Sequence, residues 1–553
     1  MKQIKDLYFG FNDAENYKRP ENKALFDKYF YRTDEFIDIF KPSTSFIIGE
    51  KGTGKTAYAT YVTNNITFNT NGFLNFIRET DYQKFIKLKS DNHLQLSDYQ
   101  NVWKVLIYLL LSDRIRTKET EDTLFKSSAN FDALQKAIDE YYVNAFSPEI
   151  IHALNFVEKT KYSAELVSKY FKAIGENIKE GSFTHSKFQT NLLYIQNHFE
   201  KAIASLKLKQ NYILFIDGID IRPENIPYNE YLECVKGLAN AIWSLNNDFF
   251  PTLKSDGKLK IILLIRPDIF SNLGLQNQNN KIKDNSILLD WKTNYTDFAS
   301  SKLFLLSDRL LLAQQELNHP AGKCWDYYFP YTPFVAGKKE SSFIQFLRFS
   351  FYRPRDIVTL LDLLKEVHTR ESSSNAFSEK DFENSELQTR YSDYLMGEIK
   401  DYLSFYYSDS DYELFRKFFD FLEGRKEFDY KLYNSAFKNF EEYIIKNNIE
   451  RPKFFETADT FLQFIYDLNI ICYIEHASNQ KYIRWCFRER NYSNISPKVK
   501  AECSYQIHYG LIKNLNLGKQ ITKVKSKPTN KNKQINKSKR TSLVLVKKER
   551  QKN

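Results

Sequence analysis

Ser45 to Ile48, Tyr212 to Ile216 (YILFI) and Leu259 to Ile265 (LKIILLI) are short, nearly continuous apolar runs bounded by turn residues. Such runs mark strands buried on both faces. Gly72 to Ile77 (GFLNFI) and Ile287 to Leu289 add two further strands. Helical patterns lie between them. One runs from about Lys55 to Asn64, a strongly apolar one holds Trp103 to Leu111, and Tyr228 to Asn246 is amphipathic. Strands alternating with helices predict an α/β fold, a parallel sheet with helices on both faces. From about Asp113 to Phe199 the pattern is helical, mixed in charge and free of strand-like runs. It reads as a helical insertion, at about 113–200, between two halves of the core.

The remaining boundaries follow from the same patterns. Residues 1–45 are polar and aromatic, with Phe26, Tyr29 and Phe30 on one helical face, and Pro42 closes them off. The core spans 46–300. Past Phe298 the strands give way to Leu- and Phe-rich helices at Lys302 to Gln315 and Ser342 to Leu364, a helical lid over 301–370. The polar stretch Glu371 to Glu386 reads as a linker. Residues 387–450 are helical. Phe455 to Leu468, Ile470 to Glu475, a polar turn and Lys481 to Arg488 then read helix, strand, turn, strand, which is the order of a winged helix and makes 387–515 a helical and winged-helix domain. Residues 516–553, rich in Lys, Asn and Gln, are expected to be a disordered basic tail.

Charge changes the picture only at that tail. The chain of 553 residues has a net charge of +11. From Gly518 to Asn553 there are thirteen Lys/Arg and one acid, Glu549. The tail thus accounts for the whole excess, and the rest is close to neutral. It suits counterion-release binding to nucleic acid, though it has no aromatic residue for base stacking. The winged-helix helix carries Glu456, Asp459 and Asp467 and no base, so a protein-packing role is expected of it. The five cysteines form no C-x-x-C pair and are expected to be reduced and mostly buried. No apolar run approaches the roughly 20 residues of a spanning helix, and the N-terminus lacks a signal-peptide core. These features place the chain in the cytoplasm, with no membrane partner.

The chemistry-bearing motif is GEKGTGKT, formed by Gly49, Glu50, Lys51, Gly52, Thr53, Gly54, Lys55 and Thr56. It matches the phosphate-loop pattern G-x-x-x-x-G-K-[ST] after a strand and before a helix. Glycines let the backbone aim its amides at phosphates, and the helix N-terminus adds partial positive charge. Lys55 would reach the β- and γ-phosphates and Thr56 would supply a hydroxyl to Mg²⁺. The strand YILFIDGID ends in Asp217, the expected second Mg²⁺ residue. Asp220, three residues on, is the candidate for orienting the attacking water. Arg266 ends the next strand and is expected beside the γ-phosphate as a sensor of its state. Arg353 and Arg355 flank Pro354, a helix-starting residue, and could reach the nucleotide from the lid.

Together GEKGTGKT, YILFIDGID, Arg266, the lid with RPRD and the winged-helix order resemble the AAA+ and STAND superclass of P-loop ATPases. FGFNDAE, GEKGTGKTA and FYRPRDIV resemble, more narrowly, bacterial FunZ-like P-loop ATPases. The resemblance covers most of residues 8–515. It implies an ATP-driven switch or oligomerising machine that acts with a partner or effector protein, of a kind that often serves in bacterial antiviral defence. By position it makes Lys55 and Thr56 nucleotide and Mg²⁺ ligands, Asp217 the Mg²⁺ acid, Asp220 the catalytic acid, Arg266 the first sensor and Arg355 the second. Ile221 stands where many STAND proteins carry another acid. That departure motivates an alternative: a nucleotide-gated scaffold with little turnover.

Overall fold

The computed structural model describes residues 1–77, 99–122, 199–222, 226–335, 337–477 and 480–518, together with 193, 196 and 197. Most of the expected insertion and nearly all of the basic tail lie outside these residues. The first half contains α1 (Pro20–Tyr29), β1 (Phe46–Ile48), α2 (Lys55–Asn64), β2 (Thr70–Phe76), α3 (Tyr99–Asp122), β3 (Asn211–Asp217), α4 (Tyr228–Ser244), β4 (Leu259–Ile265), α5 (Pro267–Asn272), α6 (Gln278–Asn285) and β5 (Ser286–Leu288). The strands form one five-stranded sheet in the order β2-β3-β4-β1-β5, and every pairing is parallel.

Side-chain alternation along each strand builds a layer on either face. Leu259, Ile261, Leu263 and Ile265 of β4 pack with Trp103 and Leu106 of α3 and Val235 and Leu238 of α4. Ile262 and Leu264 pack on the opposite face with Tyr58 and Val62 of α2 and with Phe30 and Phe36 of the N-terminal segment. All of β4 is buried, which explains its nearly continuous apolar reading. Its polar member, Lys260, caps the carbonyls of Ile39 and Lys41.

The second half contains α7 (Lys302–Leu312), α8 (Lys323–Tyr328), the hairpin β6 (Phe334–Val335) and β7 (Lys338–Lys339), α9 (Ser342–Phe349), α10 (Pro354–Glu371), α11 (Glu379–Glu383), α12 (Ser385–Leu403), α13 (Asp409–Phe418), β8 (Glu427–Asp429), α14 (Tyr430–Lys446), α15 (Ala458–Asp467), β9 (Ile471–Ala477), β10 (Gln480–Trp485), α16 (Cys486–Glu489) and β11 (Ser504–Ile507). Strands β10-β9-β11-β8 form an antiparallel sheet in that order.

Three expectations for this half are corrected. The helix expected over Ser342 to Leu364 is broken between α9 and α10, because Pro354 holds Arg353 in an extended conformation and Tyr352 turns with φ +56°. Residues 371–386 are not a linker. They carry α11 with a Ser378–Asp381 capping box, and Phe377 and Phe382 are buried. Strand β8, with only one apolar residue in three, gave no pattern to read. The lid helices and the C-terminal helices and sheet share one apolar core, which also takes in Ile4, Leu7 and Phe9 from the N-terminus. Within helix α15 only Asp459 and Thr460 are exposed, and Phe464 on its flank packs against Tyr407.

Candidate functional site

Strand β1 lies between β4 and β5, while the chain leaving it crosses to β2 at the far edge of the sheet. A crevice at the carboxyl ends of the strands is expected at such a reversal. Residues 49–54 form the turn there. Gly52 and Gly54 have φ of +83° and +97°, a conformation that favours glycine. Helix α2 starts at Lys55 with Gly54 as its N-cap and no acid in its first turn. Its orphan N–H groups and partial positive charge therefore face the crevice uncompensated.

Lys55, Thr56, Asp217 and Asp220, all picked from the sequence, converge on this point. The Thr56 hydroxyl donates to Asp217 Oδ2 at 2.6 Å. The Gly218 N–H donates to the other carboxylate oxygen at 2.8 Å. The Lys55 ammonium is buried and donates to the carbonyls of Gly49 and Glu50 at 2.9 and 3.2 Å. Burial, reinforced by the charge of Asp220, raises the Asp217 carboxyl to about 6, against the pull of Thr56, Lys55 and the Gly218 amide. Burial lowers the Lys55 ammonium, and Asp220 and Asp217 oppose that shift. Thr56 and Asp217 thus present two hard oxygen donors side by side, the donor chemistry that suits Mg²⁺.

A cavity of about 360 Å³ opens from this cluster. Its polar lining includes Gly52, Gly54, Lys55, Thr56, Asp217 and Asp220, and Ile221 also lines it. Aromatic and apolar residues also line it: Phe9, Phe11, Tyr17 and Tyr29 from the N-terminal segment, Trp291, and Leu310 of α7. Arg355 also lines it. The Arg355 guanidinium donates to Asn12 O at 3.1 Å and pairs with Glu398 at 3.4 Å.

Two arginines do not reach the cavity wall. Arg266, expected beside the γ-phosphate, is buried in a two-point pair with Asp268 at 3.0 and 2.6 Å. Its guanidinium lies 4.1 Å from the Tyr402 ring of α12. A buried guanidinium needs a carboxylate partner, and Asp268 two residues on supplies it. Arg353 is held the same way by Asp356, with its closest contact at 2.6 Å, and its Nη1 donates to Lys51 O at 3.0 Å.

The loop's variable positions are also engaged. Glu50 pairs with Arg490, which follows α16, and Lys51 pairs with Glu398 and Asp401 of α12. Sequence reading missed Trp291, Glu398, Arg490 and the aromatic wall. The wall alone had a signal, the aromatic density of residues 8–31.

Among the described residues no group of His, Cys, Asp and Glu is arranged to hold a metal by itself, so any cation here would share its shell with a ligand or water. Four cysteines are buried and Cys503 is half-buried, all of them free. No helix among the described residues is long and apolar enough to cross a membrane. Set against protein-family models, curated proteins and solved structures, the chain matches none.

Proposed function

We propose that the cavity binds a nucleoside triphosphate, ATP in the first instance, with Mg²⁺, and that the chain hydrolyses it as a switch of the AAA+/STAND type. On this reading 46–300 is a P-loop NTPase core, and 387–515 a helical and winged-helix domain that shares its apolar core with the lid. The observation that carries it is the Thr56–Asp217 contact at 2.6 Å, set at the glycine-rich turn and beside the buried Lys55. The aromatic part of the lining suits a base, and the polar part suits the phosphates.

The chain's own residues divide the work. The amides of the turn and of the first turn of α2 hold the phosphate oxygens. Lys55 exchanges its two loop carbonyls for the β- and γ-phosphates. Thr56 and Asp217 would hold Mg²⁺, which when bound neutralises charge between those phosphates. Asp220 orients the attacking water and takes its proton. Arg355 neutralises charge from the lid side.

The test is Mg²⁺-dependent ATP hydrolysis by the full chain and its Lys55→Ala variant. Turnover should vanish in the variant, and equal turnover in both would refute the proposal. A nucleotide-gated scaffold with slow turnover is the second reading. It is favoured by Ile221 after Asp220 and by the Asp268 pair that keeps Arg266 off the cavity. Fast single-turnover hydrolysis would exclude it.

A further inference from the structure

The turn at 50–53 is fastened from outside its own strand–loop–helix unit. Three successive carbonyls each accept a hydrogen bond from a distant donor. Lys51 O accepts from Arg353 Nη1 at 3.0 Å, Gly52 O from the Arg355 N–H at 3.3 Å, and Thr53 O from Trp291 Nε1 at 2.9 Å. The chain contains no cis peptide among its described residues. Across a planar trans peptide the C=O of one residue and the N–H of the next point to opposite sides. Anchoring Lys51 O to Arg353 and Thr53 O to Trp291 therefore faces the N–H groups of Gly52 and Gly54 away from those two donors.

The two sides of the turn differ as this requires. Gly52 and Gly54 line the cavity, while Thr53 lies on the opposite side with Gly49 and Glu50, against Leu289 and Arg490. The Thr53 N–H makes a 3.3 Å bond back to Glu50 O. The N–H groups of Gly52 and Gly54 find no acceptor among the described residues. Donors aimed into a cavity without an acceptor are what an anionic ligand completes.

We propose that Trp291 and Arg353 are positioning residues for phosphate binding. By holding the carbonyls of Thr53 and Lys51 outward, they set the amides of the turn toward the phosphate chain. This rests on the nucleotide reading above and deepens it. Neither residue touches phosphate itself. Trp291 follows β5 and Arg353 precedes α10, so the turn takes its binding shape only when those later segments are docked on it. The side chains of Glu50 and Lys51, tied to Arg490 and Glu398, reinforce the same hold.

The alternative is that both donors merely satisfy buried carbonyls, as packed interfaces do everywhere. The two ideas part over phosphates. Trp291→Phe keeps a ring in place and removes the N–H. Arg353→Lys keeps a cation for Asp356 and gives up the second donor. Equilibrium binding of MgATP and of adenosine to the full chain would be measured for both variants and for Lys55→Ala. Loss of one anchoring bond should weaken MgATP about three- to tenfold; adenosine should be unchanged in Arg353→Lys, which stands off the cavity wall, and weakened less than MgATP in Trp291→Phe, which also alters the wall. Equal weakening of adenosine and MgATP, or no weakening of MgATP, overturns the proposal. If Trp291→Phe fails to fold, Arg353→Lys decides alone on the same ratio. Lys55→Ala separates the layers. If it abolishes MgATP binding while the two variants bind normally, the nucleotide reading stands and the positioning role falls. If it binds MgATP normally, the nucleotide reading itself falls.

Discussion

Gly218 and Gly397 give a paired perturbation whose two members should move stability in opposite directions. Gly218 follows β3 with φ +85°, and a Cβ there would stand 2.5 Å from the carbonyl oxygen of Ile77. An alanine forced into the left-handed region costs about 1–2 kcal/mol. The clash is with backbone, so no side-chain rotation relieves it. At the same spot the Ile77 N–H donates to Asp217 O at 2.9 Å, and relief requires that bond to stretch or part. One backbone hydrogen bond adds about 1 kcal/mol, so Gly218→Ala should destabilise by about 2–3 kcal/mol. It should also displace Asp217 from Thr56. Gly397 sits exposed within α12, and a Cβ there meets nothing within 4 Å. Gly397→Ala should stabilise by about 0.5–1 kcal/mol through helix propensity. Thermal unfolding of the nucleotide-free chain gives the two signs. Hydrogen exchange over 70–77 and 211–218 locates the first effect, with faster exchange expected in Gly218→Ala alone. A Gly218→Ala chain that melts and exchanges like wild type would refute the geometric reasoning, whatever the protein binds.

Asp356 is fully buried and accepts from Arg353, the Phe351 N–H and the Tyr394 hydroxyl. Asp356→Asn leaves the Arg353 charge unpaired, so a loss of about 3–5 kcal/mol is expected in denaturant unfolding, and a loss under 1 kcal/mol would show the pair to be incidental. Asp467 tests pH dependence, because burial raises its carboxyl from 3.8 to about 6. A carboxyl raised in the folded state binds its proton more tightly there than in the unfolded chain. Its destabilising effect is therefore absent below about pH 4, grows as pH rises through about 6, and is complete at neutral pH. Asp467→Asn should melt higher than wild type at pH 7, by at most about 3 kcal/mol, and the advantage should shrink toward pH 4. An advantage independent of pH would show that Asp467 does not titrate in this way.

The core was legible because its signals are local. A strand buried on both faces must be apolar throughout, so β1, β3 and β4 stood out from their residues alone. GEKGTGKT followed by a helix start at Lys55 needs only neighbouring residues to define it, and the acid ending β3 needs only its strand. Where the reading failed, a local rule met a tertiary one. Glu371 to Glu386 looked like a linker because it is polar, yet two phenylalanines spaced five apart were enough to dock it on the shared core. The expected Ser342 to Leu364 helix kept its apolar face but not its continuity, since Pro354 and the turn at Tyr352 break it where the turn at 50–53 is met.

What the sequence determined by itself was therefore the parallel-sheet α/β core, the glycine-rich turn and the acid that follows β3. What only the tertiary structure decided was the company that turn keeps. Trp291, Arg353, Glu398 and Arg490 reach it from positions hundreds of residues away. Arg266, near in the sheet, is drawn off by Asp268 and the Tyr402 ring of α12. Such contacts leave no periodicity or spacing in the chain, because they arise where separately formed surfaces meet. Their partners are set by which buried charges and carbonyls must be satisfied once those surfaces have packed.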